Sequence, residues 1–291
     1  MSFDQIEVAH MRTYSNLVQL LLQQRGSVLA PCCTPHSFKG KAAEIVEQVG
    51  ATEATEITNR HADTELTETP HAARWMRPRD FGVADMVDEE DLLRILTDPK
   101  SAYAQTQQAA LGRKRDDIII DGAIGNNFTG NDGGNVTTFA NDGGTTLLAG
   151  GVGMTVQKLR LAKKTLMANF VDLDHDELWC WITAEQHDDL LGQTQVVSGD
   201  FNKPIFATDG RIEHFFGINF KHCERLTLDG NGDRQSVFYA KSGMHAGMWN
   251  GIRTRVRERP DKWDNPQVAT KGTFGAARSE GEKFVIIPCV E

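Results

Sequence analysis

Apolar positions recur at helical spacing in several stretches of the chain. Between residues 5 and 25, Ile6, Leu17, Leu20 and Leu21 fall at roughly helical intervals, and Gly26 with Pro31 beyond it supplies a stop, so the spacing predicts an N-terminal helix. Residues 88–96 (DEEDLLRIL) place acids in a first turn, where the helix dipole favours them, and predict a short helix. Asp98 then caps, and Pro99 starts, a helix over about residues 100–124. Its early turns are rich in alanine, and Arg113, Lys114, Arg115, Asp116 and Asp117 put opposite charges side by side. At about 1.5 Å per residue such a helix spans about 36 Å. From Thr155 the pattern TVQKLRLAKKTLMANFVD predicts a surface helix, followed by the buried-looking stretch ELWCWITAEQHDDLL, read as a core strand ending in a short helix.

Elsewhere the periodicity is that of strands. Residues 51–85 are polar, rich in threonine and histidine, with weak alternation and no evident core face, and predict an extended hairpin that finds its partners elsewhere. Residues 125–153 contain an echo, NDGGNVTTFA then NDGGTTLLAG; Asp-Gly steps form tight turns, so two turns flank a short strand over 135–140. A loop, SGDFNKPIF, precedes a paired strand in GRIEHFFGINFKHCERL. The last third predicts strands over 234–240, 251–259, 267–278 and 283–290, with a helical piece over 242–249 between the first two.

Composition narrows the functional classes. The 291 residues are 40% apolar and 24% charged, ordinary for a globular chain with one large or two modest cores. The longest apolar runs are far shorter than the roughly 20 residues of a membrane-spanning helix, and MSFDQIEVAHMRTY lacks the apolar core of a secretory signal. Folding in a cytosol is the expectation. Cys32, Cys33, Cys180, Cys223 and Cys289 are scattered, without a CxxC pair, which predicts free thiols. A net charge of -9 argues against gripping nucleic acid through a basic face.

Several clusters suggest chemistry. Asp172, Asp174, Asp176 and Glu177, and the loop of Asp229, Asn231 and Asp233, resemble alternating oxygen ligands for calcium, yet lack the glycine and terminal glutamate of an EF-hand. They are read as solvated turns, and no metal or cofactor is assigned. The nine histidines are dispersed, without HxxxH or HExxH, and His61 and His71 are read as surface residues. His222 and Cys223 are adjacent on a strand, so their side chains oppose each other and cannot act together. Gly150, Gly151 and Gly153 lack the rest of any nucleotide-binding pattern. Arg74, Arg77 and Arg79 face a segment holding Glu53, Glu56, Asp63, Glu65 and Glu68. Two readings stand: an ordinary charged hairpin, or arginine forks paired bidentately with carboxylates of another subunit.

Taken in order, these segments resemble the Johnson fold of tailed-bacteriophage major capsid proteins. The phrases PHAARWMRPRDFGVADMVDEEDLLRILTDPKSAYAQ and RPDKWDNPQVATKGTFGAAR followed by VIIP carry the likeness, in the family's order. The resemblance implies an α+β fold: an N-terminal arm (1–50), an extended loop (51–85) and a peripheral domain with spine helix and glycine-rich hairpin (86–154). An axial domain (155–250) and returning strands with a final axial strand (251–291) complete it. It implies a non-enzymatic shell subunit that assembles as pentamers and hexamers into an icosahedral head holding double-stranded DNA. The implied location is the virion, after assembly in the host cytoplasm. A portal protein and an optional decoration protein are implied partners. The absence of a long coiled-coil extension implies a separate scaffolding protein or prior proteolysis. In the resemblance the base of the extended loop lies over a neighbour, which favours inter-subunit contacts for Arg74, Arg77, Arg79, Glu53, Glu56, Glu65 and Glu68. Some relatives weld subunits through a lysine in that loop, but no lysine lies between Lys41 and Lys100. The rival readings are an encapsulin-type nanocompartment shell and a calcium-dependent carbohydrate-binding or hydrolytic β-rich protein.

Overall fold

A computed structural model describes residues 22–56, 63–64, 66–86, 100–193, 196 and 211–291. Strands β1 (Thr34–Ser37), β2 (Ala43–Val49), β3 (His71–Met76) and β4 (Arg79–Met86) precede helix α1 (Lys100–Ile124). Short strands β5 (Asn127–Thr129), β6 (Asn135–Thr137) and β7 (Thr145–Thr146) lead to helix α2 (Val156–Ala168), strand β8 (Leu178–Ile182) and helix α3 (Ala184–Leu191). Strands β9 (His214–Phe215), β10 (Ile218–His222), β11 (Arg234–Ala240), β12 (Met244–Arg259), β13 (Asn265–Arg278) and β14 (Phe284–Cys289) complete the order. The helix expected over 88–96, most of the one expected over 5–25, the loop 198–206 and Glu65 lie outside the described residues; residues 22–25 are not helical.

The chain divides into two compact units, one of residues 27–80, 114–250 and 273–291, the other of 1–26, 81–113 and 251–272. The first is built on a six-stranded sheet of order β7-β14-β11-β8-β10-β9. Strands β8 (LWCWI) and β14 (FVIIPC) are apolar throughout, and β11 is apolar from Val237 to Ala240, because both faces are covered there. Leu178, Cys180, Ile182, Phe238, Ala240, Val285 and Ile287 pack in a cluster with Leu159, Ala162 and Leu166 of α2. Trp181, Val237, Tyr239 and Phe284 pack in a second cluster with Ile119, Ile120 and Ala123 of α1 and with Leu29. Each fully buried leucine or isoleucine contributes about 1.5–3 kcal/mol. Thr155 caps α2 by accepting from the Lys158 N–H. Thr183 and Gln186 form a capping box on α3, so β8 passes directly into a helix whose orphan N–H groups are satisfied. A four-stranded sheet of order β2-β3-β5-β6 belongs to the same unit.

In the second unit, buried Gln107 of α1 donates to the Val268 carbonyl at 3.0 Å and accepts from Thr270 Oγ1 at 2.8 Å. Thr254 Oγ1 lies 2.9 Å from Thr270 Oγ1, which places both on the face of β12 and β13 that meets the helix.

One prediction is corrected. Residues 242–249 are not helical: a single 3-10 turn, Lys241–Gly243, runs straight into β12, which lies between β1 and β13 in its sheet. Backbone pairing of His245–Met248 with β1, together with burial of Met244 and Ala246, outweighs local helix preference. The strand expected over 135–140 ends at Thr137, where the chain turns.

Candidate functional site

Antiparallel pairing of β2 with β3, from Ala43 opposite Met76 to Val49 opposite His71, makes a hairpin whose last described link is the Gly50 N–H to the Pro70 carbonyl at 2.7 Å. Beyond that link Glu53, Glu56 and Glu68 are exposed and form no ion pair among the described residues. Leu66, beside them, is 92% exposed.

The root of this hairpin is held by a buried polar network. Asp142 forms an ion pair with Arg74 Nη2 at 2.6 Å through one oxygen and accepts from Arg278 Nε at 2.8 Å through the other, and its side chain is 1% exposed. Arg74 Nε also donates to Gln48 Oε1, and Gln48 Nε2 in turn donates to the Ser279 carbonyl. Arg278, fully buried, donates to the Gly125 carbonyl at 2.5 Å, and Asn127 Nδ2 donates to the Arg278 carbonyl. Burial pulls the Arg278 guanidinium below its ordinary pKa, and the Asp142 charge opposes that. A buried bridging carboxylate between two arginines is stable only while each partner remains in place.

Arg77 stacks over the Phe128 ring at 3.9 Å and donates to the Gly133 carbonyl at 2.8 Å. Arg79 pairs with Asp121 at 2.7 Å, with both side chains about half exposed. All three arginines singled out from sequence therefore have partners within their own chain, and none of those partners is Glu53, Glu56 or Glu68. Asp142, Arg278 and Gln48 were missed by sequence reasoning. The only signal was the second Asn-Asp-Gly-Gly, whose aspartate reads as a turn former. Gly143 does take a left-handed turn there, at φ 85°, while Asp142 beside it turns inward.

The segment entering from the N-terminal side is held separately. Tyr239 Oη donates to the Cys32 carbonyl at 3.0 Å, and β1 runs parallel to β12. His36 Nε2 lies 2.9 Å from His245 Nδ1, with Phe38 stacked on His36 and tilted against Trp249. Burial first, then the neighbouring His36 and Lys283, lowers His245 to about 4. The five cysteines are free and buried; burial pushes Cys223 up to about 11 and Cys32 to about 12, so none is an activated nucleophile.

The acidic turns are closed on themselves. Asp229 Oδ1 accepts from the Asn231 and Asp233 N–H groups, and Asp172 Oδ1 from those of Asp174 and His175. A cavity of about 360 Å³ is lined in part by His187, His214 and His222. Each imidazole is engaged: His187 accepts from the Ile212 N–H, His214 meets Asn219, and His222 meets Glu224.

Comparison with known proteins gives a consistent result. A family model described as phage capsid protein matches residues 6–291. The fold is similar to the capsid structure of cyanophage P-SCSP1u, with a TM-score of 0.73 at 14% identity over 98% of this chain and 94% of that one. Mycobacterium phage Che8 gives a TM-score of 0.73 at 15% identity over 95% and 96% of the two chains. The capsid of an empty GTA particle gives 0.67 at 12% identity over 100% and 98%. No curated protein matches the chain.

Proposed function

The chain belongs to the phage capsid protein family, and from that membership we propose how this major capsid protein builds the phage head. Copies assemble as pentamers and hexamers into an icosahedral shell around double-stranded DNA, in the virion, after assembly in the host cytoplasm. A separate scaffolding protein and a portal protein are the partners this reading calls for, and a decoration protein is optional to it. The protein acts by assembly rather than catalysis, and heterologous contacts that close into rings are what such a shell requires.

The observation that carries the reading at residue level is the hairpin. Its root is locked by Asp142 between Arg74 and Arg278, while among the described residues beyond Gly50 and Pro70 the acids Glu53, Glu56, Asp63 and Glu68 are exposed. A segment that leaves the core on a rigid root and ends in exposed charge is shaped to reach another molecule. In this reading Glu53, Glu56, Glu65 and Glu68 make the inter-subunit contact, Arg79 adds to it at the exposed edge, and Arg74 and Arg77 serve it by fixing the root.

Electron microscopy of the purified protein, alone and with a scaffolding protein, tests the proposal. Closed shells or capsomers are expected. A chain that stays monomeric at every concentration, with or without scaffold, refutes it.

A further inference from the structure

Helix α2 is a basic element in an acidic chain. From Thr155 to Phe170 there is no carboxylate, and the cations are Lys158, Arg160, Lys163 and Lys164, against a net charge of -9 for the whole. Lys158 points inward, donating to the Val152 and Pro288 carbonyls. Leu159, Ala162 and Leu166 seat the helix on the sheet. Helical periodicity therefore turns Arg160, Leu161, Lys164 and Met167 away from it, and all four are exposed. Arg160 and Lys164 form no ion pair among the described residues.

Two phenylalanines frame this face, each at a position that ordinarily belongs to glycine or asparagine. The Phe170 N–H donates to the Met167 carbonyl and the Val171 N–H to the Leu166 carbonyl, a Schellman pattern whose left-handed residue is Phe170, at φ 58°. Its side chain is 97% exposed. Phe216 and Gly217, at φ 57° and 75°, form the two-residue turn between β9 and β10, a geometry that favours Asn-Gly. Lys163 Nζ donates to the Phe216 carbonyl at 3.1 Å and lies 4.6 Å from the centre of its ring. Lys163 and Met167 are one turn apart on the helix, and Phe170 closes its end, so Phe216, Met167 and Phe170 follow one another along one side of α2. A bulky side chain in the left-handed region is disfavoured, and an exposed ring placed there adds little to the stability of its own subunit; it fits a contact surface.

We propose that the exposed face of α2, framed by Phe170 and Phe216, is the docking surface for an acidic amphipathic helix of a second protein. Apolar side chains one turn apart on the incoming helix meet Phe216, Met167 and Phe170, while its carboxylates meet Arg160 and Lys164. Charge complementarity selects an acidic partner, since the face carries cations and no acid. The apolar line selects a protein over a nucleic-acid duplex, whose phosphates satisfy the cations but leave both rings in water. The inference goes beyond the shell reading and stands without it, because every residue of the surface belongs to one subunit.

The probe is a synthetic peptide of about 18 residues, roughly five helical turns, with leucines at i, i+4, i+7 and i+11, glutamates beside them and alanine elsewhere. Fluorescence anisotropy against the soluble full-length subunit should give a Kd on the order of 10 μM. Arg160→Glu with Lys164→Glu should weaken binding about tenfold, the sum of two exposed pairs. A twin peptide with lysine in place of glutamate should then bind that variant and not the wild type. Phe170→Gly and Phe216→Asn should each weaken binding about tenfold by removing an aromatic anchor. Each should also melt at or above the wild-type temperature, because each supplies the residue that its turn prefers. If the double charge reversal fails to fold, Lys164→Ala replaces it, with a loss of about threefold. Equal binding of the acidic and basic peptides by the wild type, or a Kd weaker than about 1 mM, overturns the proposal. So does a Phe170→Gly chain that melts well below wild type, which makes the ring a packing residue. Wild-type dimers that Phe170→Gly disperses make a second copy the occupant and overturn it too. The same holds if a DNA duplex of about 30 bp binds the face more tightly than the acidic peptide does. Failure of the peptide leaves the shell reading intact, and failure to form shells leaves this surface intact, since binding is read on the soluble subunit.

Discussion

Replacing Asp142 with asparagine keeps the shape of the side chain and removes one charge from the centre of the hairpin root. Arg278 then keeps a guanidinium with no exposure and no counter-ion, and Arg74 loses its 2.6 Å partner. Stranding a buried charge in this way costs about 3–5 kcal/mol. By contrast, deleting the half-exposed Arg79–Asp121 pair costs about 0–1 kcal/mol, because water screens it. Thermal unfolding of the soluble subunit should therefore show Asp142→Asn melting about 6–12 °C below wild type, with Arg79→Ala within a few degrees. Hydrogen exchange should speed up first in Ala43–Val49 and His71–Met76, the arms that the network anchors. A second change supplies the control: Asp142→Asn with Arg278→Met removes both ends of one pair and should be less damaging than Asp142→Asn alone. If Asp142→Asn costs less than about 1 kcal/mol, or if the double variant is the worse of the two, the carboxylate is not what neutralises Arg278. The hairpin root would then be held by packing.

Protonation of His245 should destabilise the fold. Its folded pKa of about 4 lies below the ordinary 6.5, so the unfolded chain takes up the proton first and stability falls as pH drops from about 6.5 to 4. The full difference is about 3 kcal/mol. His245→Gln should flatten that slope in melting curves between pH 7.5 and 4.5, and a slope equal to wild type would show that His245 does not govern it. Gly122→Ala would bring a Cβ within 2.8 Å of the Ala276 carbonyl carbon, so overpacking between α1 and β13 should cost about 1–3 kcal/mol by denaturant midpoint; a neutral change would mean the helix can shift. Thr183→Ala breaks the capping box of α3 and should cost about 1 kcal/mol, and a loss below about 0.3 kcal/mol would show that Gln186 alone caps the helix. Finally, boiled shells should run as one band near 32.2 kDa, since the loop has no lysine to weld neighbours, whereas a ladder of multiples would reveal a cross-link from another position.

Local pattern was enough for elements whose partners lie close in sequence or whose faces are uniformly apolar. Helix α1 ends where the glycine after Ile124 places it, because helix termination is a property of adjacent residues, while Asp98 and Pro99 lie outside the described residues. The LWCWI run could be read as a buried strand, since a strand covered on both faces has no polar positions to confuse it. The order of segments was also sufficient for the family. What tertiary structure alone decided are the long-range pairings. Residues 242–249 became strand because β1, some 210 residues earlier in sequence, supplies a ladder that no local signal announces. Asp142 is a turn residue by sequence and a buried counter-ion in the fold, because Arg74 and Arg278 converge on it from two different sheets. Arg74, Arg77 and Arg79 stood out in the sequence only because they are close together, yet each has a different partner once folded. The cations of α2 drew no notice in a chain of net negative charge. Net charge is a sum over the whole chain, whereas an interface depends on which charges share a face, and that is set by which side of the helix packs on the sheet.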